Sequence, residues 1–128
     1  MNPLKIHRLK YFKEFFGRIA DKFWCCTWSN KVEKNGESYM AHCALGHLGM
    51  TNGGNTLTPE AQELCELLHP VAQKVITDLP REVSTNSVIR LNDNAMGINE
   101  PTPKARIMKA LDMRMEMELE TTLQEHEG

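Results

Sequence analysis

Residues 23–49 read FWCCTWSNKVEKNGESYMAHCALGHLG, and the class of the fold turns on them. Asn35-Gly36 is a strong hairpin signal, because both residues tolerate the positive φ that a two-residue turn demands. Residues 38–41 are the expected returning strand, and residues 24–28 have the aromatic and β-branched composition of a strand. A two-stranded ribbon is marginal in water on its own. It must lie on helices, or pair with other strands or a second chain. Cys43 to Gly49 reads as a short helix, ended by Gly49 and a polar loop at 51–55.

Outward from this stretch the pattern is helical. Asn2 is a capping type and Pro3 suits a first helical position. Leu9, Phe12, Phe16, Ile19 and Phe23 then recur at spacings of three and four, which predicts one apolar helical face reaching residue 23. Lys5, Arg8, Lys10, Lys13, Glu14, Arg18 and Lys22 fill the other side and read as a solvated face rather than a phosphate-binding one. Thr58-Pro59-Glu60 starts a second helix with cap, proline and an acid at the positive end. Ala61, Leu64, Cys65, Leu68, Val71, Ala72 and Val75 are its expected buried stripe, and Pro70 predicts a kink over 66–70. Residues 87–93 are ambiguous: alternation suggests a strand, shortness a brief helix. Thr102-Pro103 opens the last helix, with Ile107, Met108, Leu111, Met115 and Leu119 as its stripe. The expectation is an α+β fold: a mostly helical single domain over 1–120, with a small β-hairpin packed on three main helices. Residues 121–128 are expected to be a frayed acidic tail.

Composition narrows the function classes. The 128 residues, 41% hydrophobic and 25% charged, suit one packed core. A formal charge of -2 gives no argument for bulk nucleic-acid binding or for an anionic membrane. No apolar run approaches the roughly 18 residues of a spanning helix, and the opening residues lack a signal-type apolar stretch. Cysteines at 25, 26, 43 and 65 have no framework spacing, and the vicinal pair would form a strained ring. A reducing, cytoplasmic setting is expected, the host cytoplasm if the chain is phage-encoded.

One cluster carries reactive side chains. Closing the hairpin brings Cys25, Cys26, His42, Cys43 and His47 together, and Cys43 and His47 share a helix face. Three readings compete. The cysteines are small buried residues and the histidines bond loops. Or Cys25, Cys26, Cys43 and His47 hold zinc, although paired C-x-x-C hooks are missing. Or Cys43, activated by a helix N-terminus, is a nucleophile with His47 or His42 as base and Asn92 or Asp93 orienting it. Asn92-Asp93 can equally be a brace, capping exposed amides near the Cys43 helix.

Trp24-Cys25, then His42-Cys43-Ala44-Leu45-Gly46-His47-Leu48, then Leu91-Asn92-Asp93, then residues 102–107 together resemble a family of small uncharacterised bacterial and phage proteins. Its members, a domain of unknown function, carry W-C-x-L-G-A-L and W-N-D boxes and a last helix opening after Thr. The resemblance covers about residues 20–112. His42 and Leu91 stand where tryptophans are usual and His47 where a small residue is usual, so the resemblance implies no shared Cys–His mechanism.

Two functional readings follow. The first is a non-enzymatic binding or regulatory module of bacterial or phage origin, with Trp24, Trp28, Asn92 and Asp93 as candidate binding residues. A phage counter-defence protein sequestering a host factor or small-molecule signal is its specific form. The second is a cysteine-dependent hydrolase or transferase using Cys43. No cofactor is implied, the partner is a protein or small molecule, and a nucleic-acid or membrane partner is not expected. Met113 and Met117 lie off the stripe of the last helix, and the hairpin has open edges. A homo-oligomer joined at one of these surfaces is therefore expected.

Overall fold

A two-residue turn sets the register of the whole hairpin. Asn35 and Gly36 have φ of 55° and 79°, both in the left-handed region. In the computed structural model, which describes residues 3–27, 29–49, 57–94 and 98–127, this turn joins β1 (Asn30–Lys34) to β2 (Glu37–Ala41). Lys34 faces Glu37, so 38–41 can face only 30–33. The first strand is therefore 30–34 and not 24–28, which lies too far from the turn. Trp24 instead makes one parallel bridge to His42. The Cys25 amide donates to the His42 carbonyl at 3.0 Å and the His42 amide to the Phe23 carbonyl at 2.9 Å.

The first helix, α1 (Pro3–Gly17), buries Leu9, Phe12 and Phe16. It stops earlier than the apolar spacing predicts. Glycine is a poor helix former, and beyond Gly17 the Ile19 amide turns back to the Phe16 carbonyl. Phe23 then sits in a single 3-10 turn, Asp21–Phe23. The basic side of α1 is matched by acids: Arg8 makes a two-pronged pair with Glu63 at 2.6 and 2.7 Å, Lys13 meets Asp112 at 2.6 Å, and Arg18 pairs with Glu14.

The short α2 (Ala44–His47) is one turn, closed by Gly49 at φ 90°. Thr58 then serves two helices. Its hydroxyl accepts from the Ala61 amide, capping α3 (Pro59–Val75), and donates to the Leu48 carbonyl at 2.8 Å. α3 stays helical through Pro70. Its buried face includes His69, whose Nε2 lies 2.9 Å from the Arg81 carbonyl and Nδ1 2.7 Å from the Ser87 hydroxyl. A carbonyl only accepts, so Nε2 carries the proton and Ser87 donates to Nδ1.

Residues 87–93 lie in α4 (Thr85–Asn94). Ser87, Val88, Leu91 and Asn92 are fully buried, a helical spacing. A strand would put Val88 and Leu91 on opposite faces. The last helix, α5 (Pro103–Glu127), is capped by Thr102, which accepts from the Ala105 amide. It packs on α1, α3 and α4 and buries Arg106, Ile107, Ala110, Leu111, Arg114 and Glu118. The expected stripe is thus rotated. Leu119 is 52% exposed, while Met113 and Met117 are partly buried against the core rather than left in solvent. The backbone is helical through Glu127, where fraying over 121–128 is the expectation; Glu, Gln and Leu are strong helix formers.

The architecture is α+β, with five α-helices and one antiparallel hairpin among the described residues. Ala41, at the base of the hairpin, is buried. Among the described residues no helix is long and apolar enough to cross a membrane. Asn2, Trp28 and the loop 51–55 lie outside the described residues.

Candidate functional site

Asn92 organises the region that the sequence singles out. Its side chain is fully buried on α4. Oδ1 accepts from the Ala44 amide at 3.1 Å, one of the free amides that begin α2. Nδ2 donates to the Cys25 carbonyl and to Asp93 Oδ1, each at 3.0 Å. The Asn92 carbonyl in turn accepts from Arg106 Nε at 2.9 Å, and Arg106 also donates to the Glu100 carbonyl at 3.1 Å. One residue therefore ties α2, the 25–27 segment and α5 to α4. This is the brace reading of Asn92-Asp93, in atoms.

Beside the brace is a cleft of about 190 Å³, lined by Cys26, Thr27, Cys43, Ile89 and Asp93. Its lining is mostly apolar, with the Asp93 carboxylate and the Cys26 thiol as polar groups. Partial burial and then the Asp93 charge push the Cys26 thiol up, while Arg106 pulls it down. Cys25, by contrast, bonds locally, its sulfur 3.3 Å from the Thr27 carbonyl.

The surroundings of Cys43 weigh against the nucleophile reading. Cys43 is buried, and burial pushes its thiol up, outweighing the nearby amides of Gly46 and Leu45. The activation expected from a helix N-terminus fails because α2 is a single turn with little dipole. Asn92 donates both its amide protons to Cys25 and Asp93, so it orients no imidazole. His47 is partly buried against Trp24 and His42, with ring centroids 4.8 and 5.3 Å away. Burial, then the neighbouring His42, lower its pKa to about 4, so it is neutral at physiological pH. Its Nε2 is buried without a hydrogen-bond partner.

Among the described residues no group of three or more His, Cys, Asp or Glu could hold a metal ion, so Cys25, Cys26, Cys43 and His47 do not make the zinc site considered from sequence. Trp24, a candidate binding residue from sequence, is turned inward. It is 7% exposed, packs on Phe16 and donates its indole N–H to the Ile19 carbonyl at 3.2 Å. Trp28 lies outside the described residues.

Sequence reasoning missed Thr27, Ile89 and Arg106 at this site. For Arg106 a signal existed: a cation in the first turn of a helix opposes the dipole, so it needs another reason to be there. A larger groove of about 400 Å³ runs between α1, α3 and α5 past Leu67 and Pro70. Its arginines are already paired, Arg8 with Glu63 and Arg114 with Glu118.

Compared with known proteins, the chain matches no family model, no curated protein and no solved structure.

Proposed function

We propose that this chain is a non-enzymatic binding module whose ligand enters the cleft between the 25–27 segment and α4. The observation that carries the reading is the cleft itself: a hollow of about 190 Å³ with one carboxylate, held open by the buried Asn92 brace. Its volume is below the roughly 300–1,000 Å³ of pockets that take drug-sized ligands. A short apolar group carrying a hydrogen-bond donor fits it, either a small amine or one side chain of a protein partner. Asp93 would accept the donor, and Ile89 and Cys43 would contact the apolar stem. Four free thiols favour a reducing, cytoplasmic setting for this role. The box resemblance supports a bacterial or phage origin, where sequestering a host factor or small-molecule signal would be its biological form. The cysteine-enzyme reading loses ground because it needs a Cys43 thiolate, and burial works against one.

Titration of ¹⁵N-labelled protein with n-butylamine tests the cleft. Shifts are expected at the amides of Cys26, Thr27, Ile89 and Asp93, saturating in the millimolar range. Asp93→Asn, which keeps the Asn92 contact, should weaken them at least several-fold, and Ile89→Trp should fill the hollow. Shifts scattered over surface carboxylates, or unchanged in both variants, would overturn the assignment.

A further inference from the structure

We propose that the outer edge of β1 pairs with the same edge of a second copy of this chain, antiparallel and centred on Val32. This edge is separate from the cleft, and its pattern is set at the hairpin turn. Lys34 and Glu37 flank a two-residue turn and so form a hydrogen-bonded pair. Pairing alternates along an antiparallel ladder. Lys34, Val32 and Asn30 therefore turn their amides and carbonyls toward β2, while those of Lys31 and Glu33 point outward. Among the described residues the sheet has two strands, and β1 is exposed at every position but Val32, which is partly covered.

The side chains select one register. Outward-facing residues must meet outward-facing residues for the backbone to bond. Centred on Val32, Lys31 lies opposite Glu33 of the other copy, twice, and four backbone hydrogen bonds form. Centred on Lys31, two lysines face each other; centred on Glu33, two glutamates do. Like charges directly opposite are destabilising and opposite charges stabilising. The sequence NKVEK is thus self-complementary only when antiparallel about its middle residue. Lys31 and Glu33 already share a face, 3.4 Å apart, and are well exposed. Pairing would close them into a ring of four alternating charges.

The opposite face of the ribbon gains as well. Val32 lies across from Tyr39, whose ring meets Phe23 with centroids 5.4 Å apart. Two Val32 side chains would meet at the dyad in a non-hydrogen-bonded pair, the closer kind. The result is a continuous stripe, Tyr39–Val32–Val32–Tyr39, across a four-stranded sheet. That sheet would relieve the marginal stability of a lone ribbon.

Sedimentation velocity from about 10 to 500 µM, with circular dichroism as the folding control, tests the proposal. Mass should rise from 14.6 kDa toward twice that value. Glu33→Pro removes an outward N–H and leaves the β1–β2 ladder whole, so it should keep the chain monomeric. Lys31→Glu and Glu33→Lys should each be monomeric alone and associate when mixed, because each supplies the charge the other lacks. The double swap, Lys31→Glu with Glu33→Lys, should restore self-association. A wild-type mass that stays at 14.6 kDa through 500 µM would overturn the proposal. So would a dimer that persists in Glu33→Pro, or charge variants that fail to associate on mixing.

Discussion

Asn92 satisfies a helix-starting amide, a loop carbonyl and a neighbouring carboxylate with one side-chain amide. Asn92→Ala leaves the buried Ala44 N–H and the part-buried Cys25 C=O without their Asn92 partner. At about 1–3 kcal/mol for the buried amide and the low end of that range for the part-buried carbonyl, a loss of about 2–4 kcal/mol is expected. Urea unfolding measures it, and a loss under about 1 kcal/mol would show that the brace is dispensable. His47 gives a second expectation. Its pKa is lowered to about 4 from 6.5, so its contribution is complete above pH 6.5. As pH falls from 6.5 toward 4 the unfolded chain takes up the proton first, and stability drops by at most about 3 kcal/mol. His47→Phe should flatten this part of the stability–pH curve; an unchanged slope would assign it to other groups. Asn92 could be read as a brace because Asn after an apolar segment is a known capping type. Arg106 left only the hint of a cation in the first turn of a helix, and its role was not legible, since its partners are main-chain carbonyls of residues that the sequence alone does not bring near.

At the scale of elements, helices with local start signals were legible. Thr58-Pro59 and Thr102-Pro103 cap α3 and α5 as they read. Elements set by competing signals were not. Composition drew 24–28 into the hairpin, but the two-residue turn outranks composition because it fixes the register by counting. In α5 the apolar pattern misled. Its inward face carries Arg114 and Glu118, a pair at 2.7 Å with both side chains about nine-tenths buried. This order, cation before acid, is the less favourable one along a helix, so the pair is held by its surroundings rather than by helix electrostatics. Arg114→Ala removes one ion-pair partner of a buried carboxylate and should cost up to about 3–5 kcal/mol, whereas Arg114→Met with Glu118→Leu should be near neutral. Thermal unfolding of the single and double variants checks this. Equal losses in both would mean that the charges act separately.

The molecule as a whole places its reactive atoms unevenly. Cys43 and Cys65 are buried in the core, with Cys65 pushed up to about 12 by burial, whereas Cys26 is exposed at the cleft. The fold class was readable because turn, cap and periodicity signals agreed. Which cysteine stays accessible was not, since that depends on how α4 and the 25–27 segment meet. The central claim is that this meeting makes a binding cleft and not a nucleophile site. Native-state labelling with iodoacetamide, followed site by site by mass spectrometry from pH 6 to 9, tests it most directly. Rate follows thiolate and access. The account predicts that Cys26 is labelled well before Cys43, and that Cys43 is as slow as Cys65 with its rate still rising at pH 9. Labelling of Cys43 first, at a rate already level near neutral pH, would contradict it.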